Sequence, residues 1–273
     1  MTLTEMQAPA VRTEGLVKHY NGRDLTVEAV RGVDLEVRTG EIFGFLGPNG
    51  AGKSTTVRML TTLLSITSGR AEVAGADVVR NPDEARRRIG VALQEAGLEP
   101  RQTGRELLVM HGELFGLSPS QAKERAQELL ALVELESAAD RVIKGYSGGM
   151  QRRLDLAAAL VHEPDVLFLD EPTTGLDPAS RLTVWEELRR INRHGTTVFL
   201  TTQYLEEADQ LCDRIPIIDG GLIVREGTPA ELKADLRRRR GGDQDPTLDE
   251  VFLDATGRTR ERAAGEVQEV AAA

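Results

Sequence analysis

Eight residues between an apolar stretch and a segment able to form a helix have the composition of a phosphate-binding loop. They fit the pattern G-x-x-x-x-G-K-[ST], follow the apolar run 42–46 and lead into 53–64, a segment without glycine or proline. Glycines let successive N–H groups face an anion, a helix N-terminus adds positive potential, the lysine reaches outer phosphates and the hydroxyl can bind Mg²⁺. We therefore expect MgATP or another magnesium nucleoside triphosphate to be bound by Gly47, Pro48, Asn49, Gly50, Ala51, Gly52, Lys53, Ser54 and Thr55.

Two adjacent acids, Asp170 and Glu171, follow a second apolar run, 166–169. Parallel α/β sheets bind their ligands at the carboxyl ends of strands, so we expect both acids near the phosphates. Asp170 is the candidate Mg²⁺ ligand, and Glu171 is the candidate group that polarises the attacking water. Since acids are common in strand-end turns, an ordinary turn would be the better interpretation if this stretch stood alone. The phosphate-binding loop elsewhere in the chain favours the catalytic interpretation.

The pattern of elements around these motifs predicts an α/β fold with two additions. Residues 11–45 alternate apolar and polar and contain turn signals, which predicts an N-terminal antiparallel β subdomain. An α-helical subdomain is expected to be inserted at about 95–163, with a capping box that begins at Ser118. The α/β core resumes with strands at 166–169 and 197–200, and a helix begins after Asp177. A capping box at Thr228 opens a further helix, and the tail past about Gly241 is expected to be a thin, separate element.

Composition narrows the possible classes of protein. The 273 residues suit one large domain with a subdomain, and the low aromatic content of 4% predicts a core of Leu, Val, Ile and Ala rather than rings. With 34 basic and 44 acidic residues the formal net charge is −10, so no nucleic-acid partner is expected. The single cysteine, Cys212, and the lack of a membrane-length apolar stretch or a signal peptide predict a cytoplasmic protein.

Between the loop and the acids lies a short glycine motif, with Tyr146 before it and Met150 after it, directly ahead of a predicted helix. In order and spacing the three motifs resemble those of the nucleotide-binding subunits of ATP-binding cassette (ABC) transporters, whose signature usually reads L-S-G-G-Q. Tyr146 and Met150 depart from that pattern, and the Ser-Gly-Gly centre is intact. The resemblance implies a P-loop NTPase core, a cassette at 11–227 and a C-terminal extension at 228–273.

The same resemblance implies roles for further residues. Tyr20 stands where the family stacks a ring on adenine, and Gln94 where a glutamine contacts Mg²⁺ or water; a strand-edge tyrosine and a loop glutamine are the alternatives. Asp177 matches the D-loop, and Gln203 replaces the histidine common at the switch position, so it can bind a γ-phosphate but cannot relay a proton. The family forms a head-to-tail homodimer in the ATP state. In it, signature residues contact the partner's ATP, and here these are Ser147, Gly148, Gly149 and Met150. Lys53, Glu171 and Gln203 are the implied catalytic residues.

Two longer strings, at 201–209 and 245–253, look like those of daunorubicin-resistance type drug-export ATPases. That resemblance implies a peripheral protein on the inner face of the cell membrane that drives a separate permease subunit in the export of a drug or lipid-like molecule. A soluble ABC ATPase acting on ribosomes or DNA, an importer ATPase and a regulatory protein with little hydrolysis remain as alternatives. Arg237–Arg240 are expected to favour a helix C-terminus, and Trp185 with Leu188 is expected to be core.

Overall fold

The computed structural model describes residues 8–21, 26–94, 97–241 and 244–257. In chain order the strands are β1 (Val11–Asn21), β2 (Thr26–Val37), β3 (Ile42–Leu46), β4 (Ser68–Val73), β5 (Ala76–Asp77), β6 (Ile89–Ala92), β7 (Val166–Asp170), β8 (Thr197–Thr202), β9 (Ile215–Asp219) and β10 (Leu222–Gly227). The helices are α1 (Lys53–Leu60), α2 (Pro82–Arg88), α3 (Gly104–Leu114), α4 (Pro119–Leu132), α5 (Gly148–Ala159), α6 (Pro178–Arg193), α7 (Leu205–Leu211), α8 (Pro229–Arg240) and α9 (Leu248–Thr256).

The N-terminal strands form an antiparallel sheet in the order β2-β1-β4-β5. β1 pairs with β2 from Val11 opposite Val37 to Asn21 opposite Thr26, with register shifts on the way. Gly22, in the turn predicted between them, lies outside the described residues. The predicted α/β fold with an antiparallel N-terminal subdomain and an inserted set of helices is confirmed.

The second sheet has the order β10-β9-β3-β8-β7-β6, and it is parallel except for β10. Strands β3, β7 and β8 are buried along their whole length, which explains their nearly continuous apolar sequences. β8 lies between β3 and β7, with Thr202 opposite Leu46 and Thr201 opposite Asp170. The loop after Leu46 and the acids that end β7 therefore flank the same carboxyl end of β8.

Aromatic rings contribute more to the core than the composition predicts. Phe43, Phe45 and Phe168 are fully buried, and their ring centroids lie 5.2 to 5.8 Å from that of Phe199. Apart from this cluster the core consists mainly of Leu, Val, Ile and Ala, as the composition predicts. Alternation along β3 directs Phe43 and Phe45 to one face of the sheet, where the rings from neighbouring strands converge.

The helices begin at strong caps. Ser118 and Thr228 each form the predicted capping box, with Gln121 and Glu231 respectively. Helix α1 ends at Leu60 rather than continuing to residue 64, because the chain turns through Thr62, whose φ of +64° is left-handed. Trp185 is buried with Leu188, which confirms the prediction that this pair is core.

Residues 244–257, beyond Gly241, pack against the main core and do not form a separate element. Leu248 and Val251 of α9 are buried in the main core, and α9 packs against α7, β9 and β10. The arginines that end α8 are paired with acids rather than serving the helix dipole alone: each of Arg237–Arg240 has a carboxylate partner, from Asp235, Asp245, Glu250 or Asp254. The expected separate tail is therefore wrong for these residues.

Candidate functional site

The loop between β3 and α1 needs glycine for steric reasons. A Cβ on Gly52 would lie 2.4 Å from the Ala29 carbonyl oxygen, and Gly52 has a φ of +106°. A Cβ on Gly47 would lie 2.5 Å from the Ile218 carbonyl oxygen. Helix α1 begins directly after Gly52, so the N–H groups of its first turn face the loop and favour an anion there.

Lys53 is buried and bent back over this loop. Its ammonium donates hydrogen bonds to the carbonyl oxygens of Gly47 at 2.8 Å and Pro48 at 3.1 Å, and it lies 3.3 Å from Glu171 Oε1. Burial lowers the pKa of Lys53, while the carboxylates of Glu171 and Asp170 act in the opposite direction. The positive charge is thus held at the loop by two carbonyl groups and a carboxylate.

Asp170 is buried at the end of β7 beside the start of α1. Its Oδ1 accepts hydrogen bonds from Ser54 Oγ at 3.0 Å and Thr201 Oγ1 at 2.5 Å. A carboxylate and a hydroxyl in contact supply the hard oxygen ligands that Mg²⁺ prefers, with nucleotide phosphates and water left to complete an octahedron. The donor set therefore fits Mg²⁺.

Glu171 directs its side chain away from that of Asp170. Its φ of +49° is unusual for a residue with a side chain, and its N–H donates to Thr201 Oγ1 at 3.0 Å. Its carboxylate accepts from Thr174 Oγ1 at 3.2 Å on one oxygen and faces Lys53 on the other. The turn thus gives the two neighbouring acids different partners.

Most of the predicted residues of the loop and its surroundings line one cavity of about 470 Å³, whose lining does not include Gly47, Ala51 or Asp170. Tyr20 stands at the rim, 40% exposed, while Gln94 is exposed and Gln203 is half-buried. A nucleoside triphosphate fits a cavity of this size. The lining comprises Tyr20, Val27, Ala29, Pro48, Asn49, Gly50, Gly52, Lys53, Ser54, Thr55, Gln94, Glu171, Thr174 and Gln203. A groove of similar volume, about 490 Å³, lies by Asp165 and Thr196 at the opposite ends of the strands and contains none of these residues.

The signature residues and Asp177 lie outside this cavity. Ser147 is exposed and caps α5 by accepting from the Met150 N–H, and Gly148 is also exposed. Asp177 caps α6 by accepting from the N–H groups of Ala179 and Ser180, and hydrogen bonds from Ser180 lower the pKa of Asp177. Within one chain the structure therefore brings together the loop, both acids, Tyr20, Gln94 and Gln203, but not 147–150 or 177.

Sequence reasoning missed Arg152, which is buried in α5. Its guanidinium donates to the carbonyl oxygens of Leu93 at 2.6 Å, Pro172 at 2.9 Å and Asp170 at 3.3 Å, and it pairs with Asp155 at 3.1 Å. Burial raises the pKa of Asp155 to about 6, against the effect of Arg152. The i, i+3 spacing of Arg152 and Asp155 could have indicated a pair, but not its three carbonyl partners.

Within the described ranges, no helix combines the length and the apolar character that crossing a bilayer requires.

Comparison with known proteins relates the chain to ATP-driven transporters. The family model "ABC transporter" matches residues 30–174, more than half of the chain. The chain is 57% identical over 227 residues to a daunorubicin/doxorubicin resistance ATP-binding protein of Streptomyces peucetius. The matched region covers 83% of this chain and 68% of that protein. It is 46% identical to a Nod factor export ATP-binding protein of Cupriavidus metallidurans, over 74% of this chain and 67% of that protein.

A solved structure gives the same relationship in three dimensions. The dimeric ATP-binding cassette MJ0796 in a post-hydrolysis state with ADP and phosphate aligns with a TM-score of 0.73 and 28% identity, over 80% of this chain and 98% of that one. Family, relatives and fold agree with a site built around a phosphate-binding loop and two strand-end carboxylates. The chain belongs to the ABC transporter family and is the ATP-hydrolysing nucleotide-binding subunit of an exporter.

Proposed function

We propose that the chain binds MgATP as a homodimer and uses its hydrolysis to drive a separate integral-membrane permease that exports a drug or lipid-like molecule. The observation that carries the proposal is the meeting of Lys53 and Glu171 in one nucleotide-sized cavity, with Asp170 hydrogen-bonded to Ser54 of its lining. Two relatives are named for daunorubicin/doxorubicin resistance and for Nod factor export, and these names support a role in export. The chain then works in the cytoplasm, peripherally on the inner face of the membrane and without a nucleic-acid partner.

Each residue of the cavity has a distinct task in this proposal. Lys53 leaves the carbonyl oxygens of its own loop and binds the outer phosphates, while Ser54 and Asp170 hold Mg²⁺, with Gln94 nearby. The metal neutralises charge on the phosphates when it is bound. Glu171 accepts a hydrogen bond, and then the proton, from the water whose oxygen attacks the γ-phosphorus. The bond between the γ-phosphorus and the β,γ-bridging oxygen breaks, and ADP leaves with that oxygen. Gln203 donates a hydrogen bond to the γ-phosphate, and Tyr20 stacks on the base.

A second copy completes the site. Ser147 and Gly148 are exposed and outside their own cavity, which is what a contact with a partner's nucleotide requires. The N-terminus of α5, which begins at Gly148, would face that ATP with the positive end of its dipole. We assign Ser147, Gly148, Gly149 and Met150 to this contact in the partner's site, and Asp177 to the dimer seam. The unit that dimerises is the cassette at 11–227, with helices inserted at about 95–163 and an extension at 228–273.

Affinity purification of tagged Glu171→Gln from the native host tests the proposal. The variant is solubilised in mild detergent with MgATP, and the matched control is the same variant that also carries Lys53→Ala, which is not expected to retain the nucleotide. We expect a polytopic membrane protein in stoichiometric amount with the first variant and much less with the second. Deletion of that membrane protein should then raise daunorubicin accumulation in cells. Recovery of ribosomes or DNA-bound proteins instead would contradict the exporter function.

A further inference from the structure

We propose that Glu207 is a positioning residue for ATP hydrolysis, because its buried carboxylate ties the helix after Gln203 to the segment between Glu171 and Asp177. Glu207 lies in α7, is fully buried and is not part of the cavity lining. The inference rests on the proposed role of Glu171 as the group that activates water.

Two donors from different elements converge on one oxygen of this carboxylate. Glu207 Oε1 accepts hydrogen bonds from Thr173 Oγ1 at 2.8 Å and from Trp185 Nε1 at 2.9 Å. Thr173 is fully buried in the turn after β7, and Trp185 is buried in α6. Burial raises the pKa of Glu207, and the hydrogen bonds from Trp185 and Thr173 oppose that rise. A carboxyl group in such a place is costly, and an apolar side chain would fill the same space without that cost.

The bond to Thr173 leads directly to the catalytic glutamate. Thr174, the next residue, donates its hydroxyl hydrogen bond to Glu171 Oε2 at 3.2 Å. Glu171 holds a left-handed backbone conformation, which persists only where its surroundings fix it. Release of Thr173 from Glu207 would free the turn that keeps the Glu171 carboxylate in place.

The first turns of α6 also contact the residues on both sides of α7's start. The guanidinium of Arg181 lies 4.9 Å from the ring centroid of Tyr204 and 3.6 Å from Glu206. Tyr204 directly follows Gln203, so α6 contacts the chain immediately after the residue that would sense the γ-phosphate. One buried oxygen of Glu207 in α7 thus binds both Thr173, in the turn after Glu171, and Trp185 in α6.

Steady-state ATPase assays of the full-length chain test the proposal with Thr173→Val, Glu207→Met and the double variant. Thr173→Val keeps the shape of the side chain and removes the donor. We expect each single variant to lower kcat per ATP-binding site by about tenfold, with KM within about twofold, because a small displacement of the general base affects the chemical step. Since both changes break one bond, the double variant should be no slower than the slower single variant.

The only tryptophan of the chain supplies a readout that is independent of turnover. Its indole N–H gives a single ¹H–¹⁵N resonance, which should stay protected from hydrogen exchange in Thr173→Val because the bond between Trp185 and Glu207 remains. The positioning role would be overturned if Thr173→Val kept both a protected indole and the wild-type kcat. It would also be overturned if the losses in kcat of the two single variants multiplied in the double variant. Full turnover by Glu171→Gln would instead refute the proposed role of Glu171, so the two failures are distinguishable.

Discussion

At the scale of single residues, the backbone turn at the end of β7 decides what two neighbouring acids can do. Asp170 contacts Ser54 and Thr201, whereas Glu171 faces Lys53 and Thr174. In a regular strand, consecutive side chains alternate between faces of the sheet. The left-handed φ of Glu171 ends that alternation. Its carboxylate therefore lies at the cavity and apart from the Asp170–Ser54 pair that suits Mg²⁺.

Replacement of Glu171 by Gln tests the division of labour. We expect the variant to bind MgATP with near wild-type affinity and to hydrolyse it at least about a hundredfold more slowly, since general-base catalysis contributes that much or more. Equilibrium binding and multiple-turnover phosphate release measure the two properties separately. Turnover within a factor of a few of wild type would contradict the role, and loss of binding would point to a structural defect.

At the scale of elements, α5 is locked to the catalytic strand by one buried cation. Arg152 donates to the carbonyl oxygens of the residues on both sides of Glu171 and to that of Leu93, the residue before Gln94. The helix that begins at the signature motif is thus joined to two segments of its own cavity. A shift of α5 caused by the partner's nucleotide would reach Asp170 through these bonds.

Arg152→Met should destabilise the chain by about 3 to 5 kcal/mol, because the change leaves Asp155 buried without its cation. Arg105→Met is the matched control, since Arg105 pairs with Asp140 at 2.7 Å on the surface, where ion pairs contribute little. Urea unfolding of both variants gives the comparison. Equal losses in the free energy of unfolding would show that burial of the Arg152 pair is unimportant.

The packing of α6 on α5 predicts a pH dependence of stability. Glu187 is buried in α6 with the Arg153 guanidinium 3.9 Å away, and burial raises its pKa to about 8. The folded chain then keeps a proton that the unfolded chain releases above a pKa of about 4.5, so stability falls as pH rises from about 4.5 to 8, by roughly 1 kcal/mol per unit.

Glu187→Gln should remove this loss. We expect the variant to gain stability over wild type at pH 8 and to differ little from it at pH 5, as measured by urea unfolding at both values. The control is Glu186→Gln, at the exposed neighbouring position. The interpretation fails if Glu187→Gln shifts stability by the same amount at both pH values.

At the scale of the whole molecule, the proposed dimer would place two parts of one chain in different sites. Residues of the phosphate-binding loop and Glu171 line its cavity, whereas Ser147 and Gly148 are exposed outside that cavity. A twofold dimer can bring each cavity against the other chain's signature residues. In such an interface, a contact from one copy to the other is always repeated in the opposite direction.

Mixing two inactive variants tests that arrangement. Lys53→Ala disables the cavity, and Gly148→Asp places a negative charge where a phosphate would approach, in a position where an added Cβ meets nothing within 4 Å. A mixed dimer has one intact site, so an equal mixture should recover about a quarter of wild-type turnover if the sites act independently. Turnover no greater than the mean of the two separate variants would contradict the trans arrangement.

The sequence by itself determined the local features of this protein. The loop from Gly47 to Ser54, the strand-end acids and the caps at Ser118 and Thr228 depend on residue types at short, fixed spacings, because backbone geometry sets what such residues can do. The order of motifs along the chain also indicated the family before any coordinates.

The tertiary structure decided every feature that depends on contacts between distant segments. The carbonyl partners of Arg152, the convergence of four rings on one face of the sheet, the docking of α9 and the meeting of Thr173 with Trp185 at Glu207 join residues far apart in sequence. A side chain's type limits the bonds it can make, but only the fold brings its partner within reach and removes the competing water.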